Sequence, residues 1–127
     1  MNSDEIFGEP ISIYTRAQAL ADGMLVDVTS TAREAGWRWP VAVTAALWQV
    51  VETIPSRHSY QSAEGRLWDV VWMASRAAKA SRGGDRLAFE LIMHRDSTRK
   101  KYVHLIAHVG PGDDPSPVVT IGFPEDF

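Results

Sequence analysis

The side chains in this sequence best suited to moving protons or holding a metal are four histidines and a scatter of carboxylates. His104 and His108 lie four apart, a spacing that on a helix would make a chelating pair. The residues around them alternate polar Tyr102, His104 and His108 with apolar Val103, Leu105, Ala107 and Val109, which predicts a strand. On a strand the two imidazoles share a face but stand about 13 Å apart, too far to ligate one ion. A hairpin would carry His94 towards His104, with no third ligand in view. Histidines exposed on a sheet face are the simpler reading, with a pH-responsive or binding role as the other. Glu90 falls on the same face, so acid–base chemistry with His104 or His108 can be drawn. No nucleophile is anchored beside them, and Ser, His and Asp co-occur too commonly to signal a triad.

Asp113-Asp114, inside Gly110–Pro117 (GPGDDPSP), would be the carboxylates of a cation site. The loop lacks the oxygen-ligand spacing of a calcium loop, and adjacent carboxylates point apart in most turns. Nor does GPG cradle phosphate, since neither a helix nor a Lys-Ser/Thr pair follows it. Turn chemistry explains the stretch better. With no cysteine there are no thiolate sites, disulfides or cysteine nucleophile, and no cofactor is expected.

The tryptophans carry more information. Five occur, all between positions 37 and 72. Core building is the common use of such residues. However, Trp37-Arg38-Trp39 precedes a proline, reads as extended, and cannot point every side chain inward. Trp68 and Trp72 sit one helical turn apart, off the centre of an apolar stripe. Indoles beside Arg38, Arg66 or Arg76 would match the aromatic and arginine anchors that dominate protein interfaces. The candidate partner-binding set is therefore Trp37, Arg38, Trp68, Trp72 and Arg76, with the Asp113-Asp114 loop.

The element that must position most of these is Ser62–Gly84 (SAEGRLWDVVWMASRAAKASRGG). At 100° per residue Leu67, Val70, Val71, Ala74 and Ala78 form one stripe opposite Asp69 and Arg76, with Ser62 as N-cap and Gly83-Gly84 as the stop. Before it, Thr15 and Gln18 have capping-box spacing and Gly23 closes a short helix. Met24–Val28 reads as a buried short strand or an extended linker, and Thr31–Ala35 as a helical turn or two capped by Thr31 and Glu34. Val41–Ile54 repeats apolar residues at helical spacing and stops at Pro55.

The period changes at Asp85. Leu87, Phe89, Leu91 and Met93 alternate, then Val103 to Val109, then Val119, Ile121 and Phe123, with a turn near Asp96–Lys100. A hairpin here puts every odd-numbered residue on one face. The expected fold class is α+β, with N-terminal helices packed on one face of a C-terminal three- to four-stranded antiparallel sheet. One domain would cover 1–127: a loose arm at 1–10, mainly helix over 15–82, and an antiparallel meander over 85–123.

Composition fits an ordinary globule, because 45% hydrophobic residues are too many for a disordered chain. No apolar run reaches the ~20 residues needed to cross a bilayer, and the acidic start lacks the pattern of a secretory signal. A cytoplasmic protein without membrane contact is expected. The net charge of −3 suits neither a phosphate binder nor a DNA mimic. A nucleic-acid surface would have to gather Arg82, Arg86, Arg95, Arg99, Lys100 and Lys101.

Four segments resemble a known family: YTRAQALADGMLVDVT (Tyr14–Thr29), AREAGWRWPVAVTAALW (Ala32–Trp48), GRLWDVVWMA (Gly65–Ala74) and GPGDDPSPVVTIGFPED (Gly110–Asp126). The family comprises small uncharacterised proteins of conjugative plasmids, integrative elements and phages of proteobacteria. It has no assigned reaction, so the resemblance transfers no catalytic residue. It implies an accessory protein of a mobile element that inhibits a host defence, for example as an anti-CRISPR, by stoichiometric binding to a host protein complex such as a CRISPR–Cas effector. The expectation is thus a non-enzymatic interaction protein. The rivals are a small enzyme or ligand-binding protein using Glu90, His104 and His108, and a nucleic-acid-binding accessory protein.

Overall fold

Val41-Ala42-Val43-Thr44 decides the architecture. These residues form strand β2 (Val41–Thr44), and only then does helix α3 (Ala45–Glu52) begin. The helical spacing over Val41–Ile54 predicts one helix, and the structure divides it. Two β-branched valines flanking an alanine suit a strand buried on both faces, and Val41, Ala42 and Val43 are all essentially inaccessible. Thr44 makes the joint, its hydroxyl accepting from the Leu47 amide at 3.2 Å as the N-cap of α3.

The computed structural model describes residues 14–56, 60–94 and 102–127. The expected arm at 1–10, the turn at Asp96–Lys100, and Arg95, Arg99, Lys100 and Lys101 lie outside these. The remaining elements are α1 (Arg16–Ala21), β1 (Leu25–Asp27), α2 (Thr29–Glu34), α4 (Ala63–Ala80), β3 (Arg86–Ile92), β4 (Tyr102–Pro111) and β5 (Pro117–Gly122). A 3-10 turn, Pro124–Asp126, follows β5.

The class is α+β, but the sheet is larger than expected and mixed. Its five strands run β1-β2-β5-β4-β3, and β2 lies parallel to β5 while the other neighbours are antiparallel. The antiparallel-only sheet of three or four strands is corrected by the insertion of β2 between β1 and the meander. Within the meander the register pairs Leu87 with Ala107, Phe89 with Leu105, Leu91 with Val103 and Ala107 with Ile121. Odd-numbered residues of β3, β4 and β5 therefore share the core face.

That face is covered by α2, α3 and α4. Leu47, Val51, Val70, Val71 and Ala74 meet Val41, Val43, Leu105, Val119 and Ile121 in one fully buried cluster. Each Leu, Ile and Val among them contributes about 1.5–3 kcal/mol through burial. The helices do not all lie on this face, however. Arg16 of α1 donates to Thr120 Oγ1 at 2.7 Å and to the Val119 carbonyl at 2.8 Å. Since Thr120 points to the opposite face, the Arg16 side chain reaches that side at β5, while the body of α1 packs beside β1. The C-terminus returns over the same side. Asp126 accepts from the Thr44 hydroxyl at 2.7 Å, and the Phe127 ring lies 6.2 Å from that of His108.

Local signals explain the ends of the helices. The Thr15–Gln18 capping box is formed and Gly23 takes φ +78°. Thr31 does not cap α2, which starts at Thr29. The helix ends at Gly36, φ +105°, where the Trp37 amide turns back to the Ala32 carbonyl at 3.0 Å.

Candidate functional site

Helix α4 starts where Ser62 Oγ accepts from the Gly65 amide at 3.0 Å, and Ser81 caps its far end. Its stripe, Leu67, Val70, Val71 and Ala74, is buried on the sheet, with Ala78 partly buried beside it. Setting that stripe inward leaves Trp68 and Trp72 on its flank, one turn apart. Their rings stack with centroids 5.8 Å apart and planes within 16°. The Arg76 guanidinium, one turn further on, lies 5.8 Å from the Trp72 centroid. Trp68 packs partly against the core, whereas Trp72 is 39% exposed and Met73 beside it 37%. The result is a ladder of two indoles and a guanidinium, anchored inside and open outside. Stacking and cation–π attraction of this kind contribute about 0.5–1.5 kcal/mol per contact.

The other candidates separate from this ladder. Trp37 is only 8% exposed, and its Nε1 donates to the Val71 carbonyl at 3.0 Å. It is a core residue that ties α2 to α4, not a free contact. Arg38 is exposed and lines a different feature, an open cleft of about 400 Å3 shared with Trp39, Lys79 and the Gly83-Gly84 turn. Trp39, which completes the extended segment, is 42% exposed.

The acidic loop also has structural work. Asp113 accepts the Arg16 amide at 2.7 Å and the Ala17 amide at 3.0 Å, so its carboxylate closes the first turn of α1 across 97 residues of sequence. Asp114 accepts the Ser116 amide at 2.8 Å in a local turn. Burial lowers the pKa of Arg16, and the nearby Asp113 and Asp27 carboxylates oppose that shift.

Arg66 is likewise inside, at 4% exposure. Its guanidinium donates to the Val50 carbonyl at 2.7 Å, the Thr53 carbonyl at 2.9 Å and Gln61 Oε1 at 3.0 Å, and also to the His94 carbonyl. It joins the ends of α3 and β3 to the start of α4, as a fork of five donors can. The sequence held a signal for this, because Arg66 precedes Val70 by one turn on the buried side of the helix.

Glu90 and His104 face each other across β3 and β4, with Nδ1 to Oε2 at 3.2 Å, but their side chains are 53% and 72% exposed. His108 lies against Phe127 instead. These residues share an open sheet face and, among the described residues, line no enclosed cleft. Among the described residues no cluster of three His, Cys, Asp or Glu is placed to hold a metal. Of the basic set, Arg82 is exposed and Arg86 stands over the Phe127 ring at 5.4 Å.

The fold and this geometry define a small α+β protein whose longest helix carries an aromatic–arginine ladder on an open flank. The chain belongs to a family of unknown function, DUF6573, whose model matches residues 1–127. No curated protein and no solved structure matches it. No described helix is long and apolar enough to cross a membrane.

Proposed function

We propose that this chain is a non-enzymatic interaction protein that binds a protein partner stoichiometrically through the flank of α4. The observation carrying this reading is the ladder itself, with Trp72 and Arg76 held at the surface by Trp68. Rigid aromatic and arginine side chains lose little further freedom on binding and make up most interface hot spots. The partner class we favour is a host protein complex. Within the mobile-element setting implied by the resemblance, the activity would be anti-defence, such as inhibition of a CRISPR–Cas effector.

Affinity capture from a host cell, with wild-type protein and Trp72→Ala as parallel baits, tests this. Proteins held by the wild type and lost by the variant identify the partner, and calorimetry with the purified partner gives the stoichiometry. Trp72→Ala is expected to weaken that complex at least tenfold while the protein stays folded. Identical capture by a folded Trp72→Ala variant refutes the reading.

A further inference from the structure

Strand β3 is an edge of the sheet, with no strand beyond it among the described residues. The Val109 amide donates to the Asp85 carbonyl at 2.7 Å, so odd-numbered positions of this strand bond inward to β4. By alternation Arg86, Ala88, Glu90 and Ile92 aim their amides and carbonyls outward. Among the described residues, Arg86 and Glu90 are the protections this edge carries, and both sit on the face away from the core. The strand pairs through seven consecutive residues without a bulge, contains no proline, and turns Leu87, Phe89 and Leu91 rather than a charge to the core face. Leu87 and Phe89 remain partly exposed there, leaving the apolar layer incomplete at this side.

We propose that β3 pairs antiparallel with β3 of a second copy, about a two-fold axis at Ala88, joining two sheets into one. The charges select this register. With the axis at Ala88, Arg86 lies directly opposite the partner's Glu90, and Glu90 opposite the partner's Arg86. Centring on Glu90 or on Arg86 would oppose like charges, and centring on Phe89 would set Arg86 against the partner's Ile92. The chosen register forms on the order of six backbone hydrogen bonds between outward-facing residues. It also places Leu87 opposite the partner's Phe89, covering the two partly exposed side chains. Arg86 is already steadied on this face by Phe127, 5.4 Å away, and Glu90 by His104.

Sedimentation equilibrium of the purified full chain is the test. The wild type should show twice the 14.1 kDa mass of the chain. Arg86→Glu and Glu90→Arg should each weaken association roughly tenfold or more, since both symmetric pairs become repulsive. The double variant Arg86→Glu/Glu90→Arg should recover the dimer, because opposite charges face each other again. Ala88→Lys, which brings two ammonium groups together on the axis, should separate the copies without touching either charged residue. Thermal melts establish that each variant is folded, and Ala88→Lys replaces any single variant that is not. A wild type of monomer mass, folded single variants as dimeric as wild type, or a folded double variant that stays monomeric overturns the proposal. A monomer would leave capture through α4 unaffected, since the two surfaces share no residue.

Discussion

Replacing Asp113 by alanine separates two readings of the acidic loop. The sequence places Asp113 among partner contacts, whereas in the structure both carboxylate oxygens are occupied by amides of α1. Thr15 already serves the Gln18 amide, so Asp113 supplies acceptors for the two amides that Thr15 leaves unserved. Losing a side-chain cap costs about 0.5–2 kcal/mol, and losing a carboxylate at a helix N-terminus about 0.3–1. Water can reach these exposed amides, so the combined loss should stay near 1–2 kcal/mol. Asp113→Asn keeps one acceptor without the charge and should lose about half as much.

Urea unfolding measures this directly: the midpoint should fall at unchanged slope, because the surface exposed on unfolding is the same. For a chain of this size the melting temperature should drop by about 3–8 °C. Hydrogen exchange adds a local readout, with the Arg16 and Ala17 amides losing protection before the core does. Stability unchanged within about 0.3 kcal/mol for Asp113→Ala, together with lost partner capture, would refute the capping argument and return Asp113 to the contact set.

Gly122→Ala should cost about 1–3 kcal/mol in the same assay, because a Cβ there would meet Thr44 Cγ2 at 2.5 Å and Asp126 Oδ2 at 2.8 Å. Burial raises the pKa of Asp69, so its ionisation favours the unfolded chain and its contribution to stability falls as pH rises through the folded value. Asp69→Asn should therefore be more stable than wild type at neutral pH, with the advantage shrinking in acid; equal differences at both pH values would contradict this. Trp68→Leu keeps an apolar side chain against the core but removes the platform under Trp72. Partner affinity should drop roughly three- to tenfold, mainly through faster dissociation, and an unchanged Kd would show that the stacked geometry is irrelevant to binding.

The parts of this fold legible from the sequence were those with one dominant period. Strands β3, β4 and β5 alternate cleanly, and a two-residue period fixes which face is buried even before the partner strand is known. The α4 stripe was legible for the same reason. Val41–Thr44 misled because three consecutive buried residues carry no period; only the parallel pairing with β5 identifies them as a strand. Trp37 was unreadable because its burial depends on the Val71 carbonyl, far along the chain, offering a second lone pair to the indole. The bond between Asp113 and α1 was unreadable on similar grounds. Nothing in GPGDDPSP reveals that the first turn of α1 folds back onto it. Long-range pairing of a loop carboxylate with a distant helix end leaves no local pattern.

The indoles show how position on one helix divides labour. Val70 and Val71 sit at 0% exposure and tolerate no reorientation of α4, so the azimuth of every other residue on the helix follows from them. Trp68, adjacent to that fixed stripe, lies partly against the core; Trp72, four residues later, is turned about 40° further from it and stacks on the Trp68 ring. Arg76 continues the row where the helix has only solvent to offer. The ladder is therefore a consequence of core packing as much as a surface feature, and its rigidity comes from the valines beneath it. A free tryptophan on a mobile loop would have to be ordered by its partner. Here Trp72 is already stacked on Trp68 in the folded chain, as the proposed anchor requires.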